Sequence, residues 1–482
     1  MGDGDVARLY HRLSGYGPEI DFPAAPADHT LVLQDFVAND AARWPPQYKR
    51  YDVGTRLPLP TDWDVGGPAA TVLAGLYAAS AVRDVTALAR LLFLSAGVVR
   101  TGKRSGDRVV LFRAAGSAGG RFPLELYVAA RGLAGLEDGV YWYDLVQHAL
   151  LGIAAAPSVG ATTLIVTGVP WRTGWRYAER GWRHIYWDGG TMLAQTLALA
   201  GPARLWTRFP DATVARLVGA DGTHEFPIAL VTLGDGEPAM EPSSAAVPGT
   251  VADDAVEFPL VTFAQHAGDR EQLGRPWPNP EPLDGSPPPS ASLDSVVLRR
   301  GSTRLMDPSA QVSGEVYSFS LAAATRGIDI PHFTAVHAVS GMAPGLYRWP
   351  EPQPVRSGNL REELLKVCWY QDLGRDAAFD VIGAVDLAGV TNRGYREAQL
   401  AAGIVEGRLH LASYALGIGA SGMTFLDSEI EPLLGAPLAG LLITCVGVPT
   451  YQSTHGGRPR QPVEVVTPAA IETLPTPPAE DT

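Results

Sequence analysis

Cysteine is almost missing from this chain. Cys368 and Cys445 are the only two in 482 residues. Neither stands at metal-ligand spacing and both lie in apolar runs, which marks them as small buried core residues. Basic charge is short as well: 38 Lys and Arg against 51 Asp and Glu give a formal net charge of -13. That excludes broad, non-specific nucleic-acid binding, while a local basic pocket stays open. Long apolar runs are also lacking. The nearest, 149–168, is broken by Pro157 and several glycines, so nothing reads as a bilayer span. The opening Met1-Gly-Asp-Gly-Asp5 has no apolar stretch of signal-peptide type. A soluble, cytoplasmic protein is expected. What is present is a globular composition, 46% apolar and 18% charged, in a chain too long for one ordinary core. Two domains, or one large double domain, follow.

The pattern predicts an α+β fold. Residues 1–65, rich in aromatics and prolines, read as a wrapping arm. Helical spacing of leucines marks 69–98, and strands are expected over 124–130, 140–143, 163–167 and 227–233. A long helix is expected over 176–201, which closes a first half at 66–235. The stretch 236–290 ends in Ser286-Pro-Pro-Pro-Ser290 and has the composition of a linker. A second half, 291–467, carries strands over 379–385 and 441–448, and the polar, Pro-rich tail 468–482 is expected to be disordered.

The halves repeat each other. Gly135, Gly139 and Tyr141 recur 206 positions later as Gly341, Gly345 and Tyr347. Gly201, Phe209, Asp211, Leu217 and Gly219 recur 216 positions later as Gly417, Phe425, Asp427, Leu433 and Gly435. An internal duplication accounts for both, and two copies on one chain are expected to pack with pseudo-two-fold symmetry, as a homodimer would.

Within the second half, Arg300-Gly-Ser-Thr-Arg304 places two guanidinium forks and a hydroxyl at alternate positions, the inventory for a phosphate. It resembles the Arg-x-Ser-x-Arg motif that opens the nitroreductase-family flavoprotein fold. Leu416-Gly-Ile-Gly-Ala-Ser-Gly-Met-Thr424 looks like that family's loop after its long helix. Val446-Gly-Val-Pro-Thr-Tyr451 with Gly456-Gly-Arg-Pro-Arg460 looks like its last strand and basic tail. Gly116-Ser-Ala-Gly-Gly120 looks like its Pro-Ser-Ala-Gly loop, with glycine in place of proline. The tandem arrangement is similar to SagB-type dehydrogenases, flavin-dependent partners of azoline-forming, peptide-modifying enzymes.

The resemblance implies FMN, held between two nitroreductase-like halves. Arg300, Ser302 and Arg304 would hold its phosphate, with Arg458 and Arg460 closing over it. Ser117, Ala118, Gly119 and Gly120 would let backbone approach the ring. A backbone N–H of Ala420, Ser421 or Gly422 would reach the ring edge. Since the Arg motif occurs only in the second half and the Ser-Ala-Gly loop only in the first, one FMN per chain is expected. Azole-forming relatives carry Lys-Tyr where this chain has Arg176-Tyr177. Tyr177 suits a proton acceptor or relay, whereas Arg176 cannot surrender its proton but can lower the pKa of Tyr177 or hold an anion. No metal-type spacing is visible among the histidines. Three functions stay open: oxidation of azoline rings in a modified peptide, with a cyclodehydratase as partner; NAD(P)H-dependent reduction of a small molecule; and a flavin-free peptide-binding scaffold.

Overall fold

The computed structural model describes residues 2–17, 43–52, 54–104 and 108–465; the expectation for the tail 468–482 lies outside them. The strands in chain order are β1 (Arg56–Pro58), β2 (Val98–Arg104), β3 (Arg108–Arg113), β4 (Leu124–Ala130), β5 (Gly139–Asp144), β6 (Ala149–Ala154), β7 (Thr163–Gly168), β8 (Ala203–Trp206), β9 (Phe226–Leu233), β10 (His332–Val336), β11 (Gly345–Arg348), β12 (Pro354–Ser357), β13 (Phe379–Val385), β14 (Gly419–Met423), β15 (Ala439–Gly447) and β16 (Val463–Val465). They form a sheet β1-β6-β5-β4-β7-β9-β8, a second sheet β12-β11-β10-β13-β15-β14, and a small sheet β16-β2-β3. Apart from the added edge strand β1, the two large sheets have the same strand order. Every residue of β4, β7 and β13 is buried, which is why these stretches read as nearly unbroken apolar runs. Tyr141 and Tyr347, matched in sequence, also bond alike: each hydroxyl donates to the carbonyl four residues before it, Glu137 at 2.9 Å and Ala343 at 2.8 Å.

Two long helices, Gly181–Leu199 and Asn392–Ala415, cross between the sheets. The crossing is made by glycine. A Cβ on Gly190 would lie 2.4 Å from the Leu400 carbonyl oxygen, and one on Gly403 would lie 2.4 Å from that of Trp187. Gly190 and Gly403 are 213 positions apart, as are Trp187 and Leu400, so the contact is reciprocal. The backbones touch where neither has a side chain. Gly403→Val is therefore expected to force the helices apart, at the upper end of the roughly 1–3 kcal/mol of overpacking. A fall in the urea midpoint measures it, and an unchanged midpoint would contradict the crossing.

Each long helix begins with a matching arginine pair, Arg180-Gly-Trp-Arg183 and Arg393-Gly-Tyr-Arg396. Arg180 and Arg183 pair with Asp427 of the other half, Arg183 at 2.6 Å. Arg393 and Arg396 pair with Asp211 at 2.8 and 3.0 Å. Both carboxylates stand at the start of the short segment following a matched strand, the positions already paired in sequence. Burial pushes the Asp427 carboxyl up, but Arg180 and Arg183 together outweigh it and hold it well below the usual carboxylate range.

Several elements differ from the expectations. The helix expected over 69–98 is two helices, Ala69–Leu73 and Val85–Ala96, because the chain turns at Gly75 with φ 77°. The helix expected over 176–201 is split into Pro170–Tyr177 and Gly181–Leu199 by Ala178, whose φ is 46°. The hairpin β2–β3 carries no clear alternation and was not foreseen. The Pro-rich stretch 236–290 holds a helix, Pro259–Ala267, that buries Leu260, Val261 and Ala264. In the arm, the helix Asp5–Leu13 touches both halves: Tyr10 donates to the Glu179 carbonyl at 2.7 Å and the Ala7 amide donates to Asn392 at 3.0 Å.

Candidate functional site

Arg300 follows the helix Leu293–Arg299, where the backbone becomes extended and aims the side chain inward. It is buried, and its Nε and Nη2 donate to the Ala114 carbonyl at 2.9 and 2.6 Å. A second-half arginine thus reaches into the first half, just before the Gly116–Gly120 loop. Burial and then the Arg100 guanidinium lower its pKa to about 10. Two of its five N–H groups are spent on Ala114, and among the described residues no carboxylate pairs with it. Thr303 is buried and its amide donates to the Ala420 carbonyl at 2.9 Å, which ties the Arg300–Arg304 segment to the outer edge of β14. Ser302 is half-buried. Arg304 is exposed, and its amide donates to the Tyr451 hydroxyl at 2.9 Å.

The loop from the first half is held from below. Ser117 donates to Asp188 on the first long helix, and the Ala118 amide donates to the same carboxyl at 2.9 Å. The Phe122 amide closes the turn by donating to Ser117 Oγ at 2.7 Å. Gly119 and Gly120 have φ 58° and 63°, and a Cβ on Gly119 would fall 2.7 Å from the Tyr177 hydroxyl. A cavity of about 10 Å³ lies beneath this loop, between Arg113, Ser117, Asp188 and Met192, room for about one water.

Tyr177 ends its helix beside a strained residue: Ala178 adopts φ 46° and ψ -137°, a conformation costly for any residue with a side chain. Its ring stacks on His184, centroids 3.9 Å apart. Burial keeps that imidazole neutral, pushing its pKa far below the ordinary value, with Arg180 adding to the effect. For Tyr177, burial raises the hydroxyl pKa first of all. Arg176, Arg121 and Arg304 pull it down and Asp188 pushes it up. Arg176 thus acts in the expected direction, lowering the Tyr177 pKa, but desolvation outweighs it and the phenol stays protonated at neutral pH.

The structure brings together Arg300, Ser117, Ala118, Gly119, Gly120 and Tyr177, with Arg304 within electrostatic reach of Tyr177. Two expectations change. Ala420, Ser421 and Gly422 are not a loop but the edge strand β14, paired antiparallel with β15, with Ala420 opposite Val446. Because the Ala420 carbonyl points away from β15, antiparallel alternation points the Gly422 amide outward too. Arg458 and Arg460 do not close over the Arg300 segment. Arg458 is exposed beside Asp62 at 3.8 Å, and Arg460 donates to the Leu59 carbonyl at 3.1 Å. The cause is backbone pairing: the Gly456 and Gly457 amides donate to Leu298 and Val99 at 2.7 Å each, which turns the tail toward the first half.

Three residues escaped the sequence. Arg100, on β2, donates to the carbonyls of Leu298, Arg299 and Arg300. Asp188 and Glu406 sit on the two long helices. Glu406 lies so close to β14 that a Cβ on Gly422 would fall 2.1 Å from its Oε1. Among charged residues in helices, nothing in the sequence separates these from surface positions. Among the described residues no cluster of His, Cys, Asp and Glu is placed to hold a metal, and no helix is long and apolar enough to cross a membrane.

No family model matches the chain. A candidate nitroreductase from Methanocaldococcus jannaschii is 27% identical over 166 residues, 30% of this chain and 78% of that protein. The solved structure of a candidate nitroreductase from Anabaena variabilis superimposes with a TM-score of 0.69 at 25% identity, covering 92% of this chain and 99% of that one. A candidate nitroreductase from Exiguobacterium sibiricum, solved in complex with FMN, covers 34% of this chain at 12% identity with a TM-score of 0.27, a match too partial to carry an argument. The chain has the nitroreductase-family fold, a mixture of helix and sheet, and a nitroreductase homologue. Its residues fit an FMN phosphate at the buried Arg300 cation, whose remaining donors have no salt-bridge partner among the described residues.

Proposed function

We propose that this chain is an FMN-dependent oxidoreductase in which two nitroreductase-like halves, 66–235 and 291–467, form an intramolecular pseudo-dimer with one cofactor site between them. The observation that carries this is the Arg300 guanidinium of one half bonded to Ala114 of the other, beside the loop that holds Ser117. The reciprocal contacts Gly190 to Leu400 and Gly403 to Trp187 support the pseudo-dimer, since a two-fold interface pairs residue i with j and j with i. Arg300 and Arg304, with Ser302, neutralise and orient the phosphate. The glycines of 116–120 and the outward Gly422 amide leave backbone open to a planar ring. Bound FMN supplies hydride transfer.

Tyr177, protonated and stacked on neutral His184, would give the proton that accompanies hydride in the reductive direction and, in azoline oxidation, would act as a relay that releases its own proton as it takes the substrate's. Tyr177→Phe is expected to lower kcat by on the order of 10²–10⁴ with KM and FMN content little changed. Equal turnover in the variant would remove the residue from the chemistry.

For the substrate we propose oxidation of azoline rings in a modified peptide, delivered by a cyclodehydratase in the cytoplasm. Reduction of a small molecule by NAD(P)H is the second reading, supported by the candidate nitroreductase from Anabaena variabilis that spans 92% of this chain and by Arg176, which cannot act as the lysine of azole-forming enzymes. Stopped-flow mixing with NAD(P)H decides: rapid bleaching of the flavin band establishes the reductase, and an unbleached flavin that a thiazoline peptide reduces establishes the dehydrogenase. A purified chain that shows no flavin absorbance after incubation with FMN would overturn both and favour a peptide-binding scaffold.

A further inference from the structure

The reciprocal helix crossing gives each position on one flank a counterpart 213 residues away on the other. Under the Ser117 loop and the Arg300 segment the crossing carries Asp188, Thr191, Glu406 and His410. Their counterparts are Ala401, Ile404, Leu193 and Leu197. All four polar residues face apolar ones across the pseudo-axis. Asp188 and Thr191 are buried like their counterparts Ala401 and Ile404. Packing therefore does not require polarity here, because the same geometry is filled by alkyl groups on the opposite flank. Burying acids lowers stability unless they are bonded, so their place on the flank of the proposed site needs its own account.

The bonds supply it. Asp188 receives the Ala118 amide and the Ser117 hydroxyl, which fixes the loop. Glu406 lies against Gly422 of β14 and accepts from Thr191 at 3.5 Å, one turn beyond Asp188. We infer that Asp188 and Glu406 are the positioning residues of the single site, Asp188 setting the Ser117–Gly120 wall and Glu406 setting the facing strand edge at Gly422. This rests on the cofactor reading above. Burial pushes the Asp188 carboxyl far above the usual range, the bonds from Ser117 and Ala118 oppose that, and Glu406 pushes it further up. The groups facing it are Ser117 and Ala118 on the loop, Arg113 on β3, Tyr177 on the preceding helix and Glu406 on the second long helix.

The test is amide hydrogen exchange of the protein without added ligand, over peptides covering Gly116–Gly120 and Gly419–Met423, from about pH 4, near the ordinary carboxyl value, to about pH 9. In the wild-type chain, ionisation of Asp188 as pH rises should strengthen loop protection, because a carboxylate accepts the Ser117 and Ala118 bonds more strongly than the neutral acid. Asp188→Asn should make loop protection independent of pH, because its amide oxygen still accepts from Ala118 but does not titrate. Asp188→Leu should raise loop exchange about tenfold, the worth of one buried hydrogen bond. Glu406→Gln should shift the wild-type change to lower pH, because the like charge beside Asp188 is gone. The inference is overturned if Asp188→Leu leaves loop exchange unchanged, if Asp188→Asn follows the wild-type pH profile, or if Glu406→Gln leaves the midpoint in place. FMN titration of the same proteins separates the two claims: a wild-type chain that binds no FMN overturns the cofactor reading, while the exchange data still decide the positioning roles.

Discussion

Arg300→Ala is expected to weaken FMN binding by roughly two to four orders of magnitude. A guanidinium facing a phosphate contributes charge-assisted hydrogen bonds of about 1.5–3 kcal/mol each, and two of them give a change of that size. The structure adds a second consequence. The same side chain holds the Ala114 carbonyl through Nε and Nη2, so its loss also frees the start of the Gly116–Gly120 loop. Arg300→Lys should not rescue binding, since a single ammonium cannot hold the carbonyl from two nitrogens and face a phosphate with a planar fork. Fluorescence titration with FMN, on variants whose circular dichroism matches the wild type, reads the effect. A dissociation constant within twofold of wild type would place the phosphate elsewhere.

The largest effect on stability is expected from Asp427. Its carboxylate is buried between Arg180 and Arg183, with His11 at 3.8 Å. Asp427→Ala leaves two buried guanidinium groups facing no anion, which costs about 3–5 kcal/mol. The sign of the pH dependence follows from the depressed carboxyl. A depressed acid stabilises the fold above its unfolded pKa of roughly 3.9 and loses that contribution as pH falls toward the folded value. The urea midpoint of the wild-type chain should therefore drop below about pH 4, and that of Asp427→Asn should drop less. Parallel acid profiles would show that Asp427 does not carry the coupling. Asp211, gripped by Arg393 and Arg396, occupies the matching position between the halves.

Much of the site was legible as separate pieces. The Arg300–Arg304 segment and the Ser117–Gly120 loop each stand out by residue type, and their placement in opposite halves pointed to a shared site. The strands β4 and β13 were placed to the residue, because burial on both faces writes a continuous apolar run. What joins the pieces was not legible. Gly190 and Gly403 read in sequence as residues that weaken a helix, and only their opposed backbones explain them. Asp188 and Glu406 read as ordinary helix charges, since burial is decided by the partner helix and not by the local pattern. The basic tail misled for a related reason: charge suggested a phosphate, but the amides of Gly456 and Gly457 fixed its direction first. Ala420–Gly422 looked like a glycine loop and is a strand, because pairing with β15 supplies what its small side chains do not.

The crossing of Gly181–Leu199 with Asn392–Ala415 has a consequence for dilution. Two separate subunits meeting through such a contact would part as their concentration fell, and a site built between them would part with them. Here the two helices belong to one covalent chain, so each meets the other at a fixed local concentration set by the connecting residues. Cofactor affinity should then be independent of protein concentration down to any level that can be measured. The two flanks of the crossing are also free to diverge, since a change at Asp188 leaves Ala401 untouched.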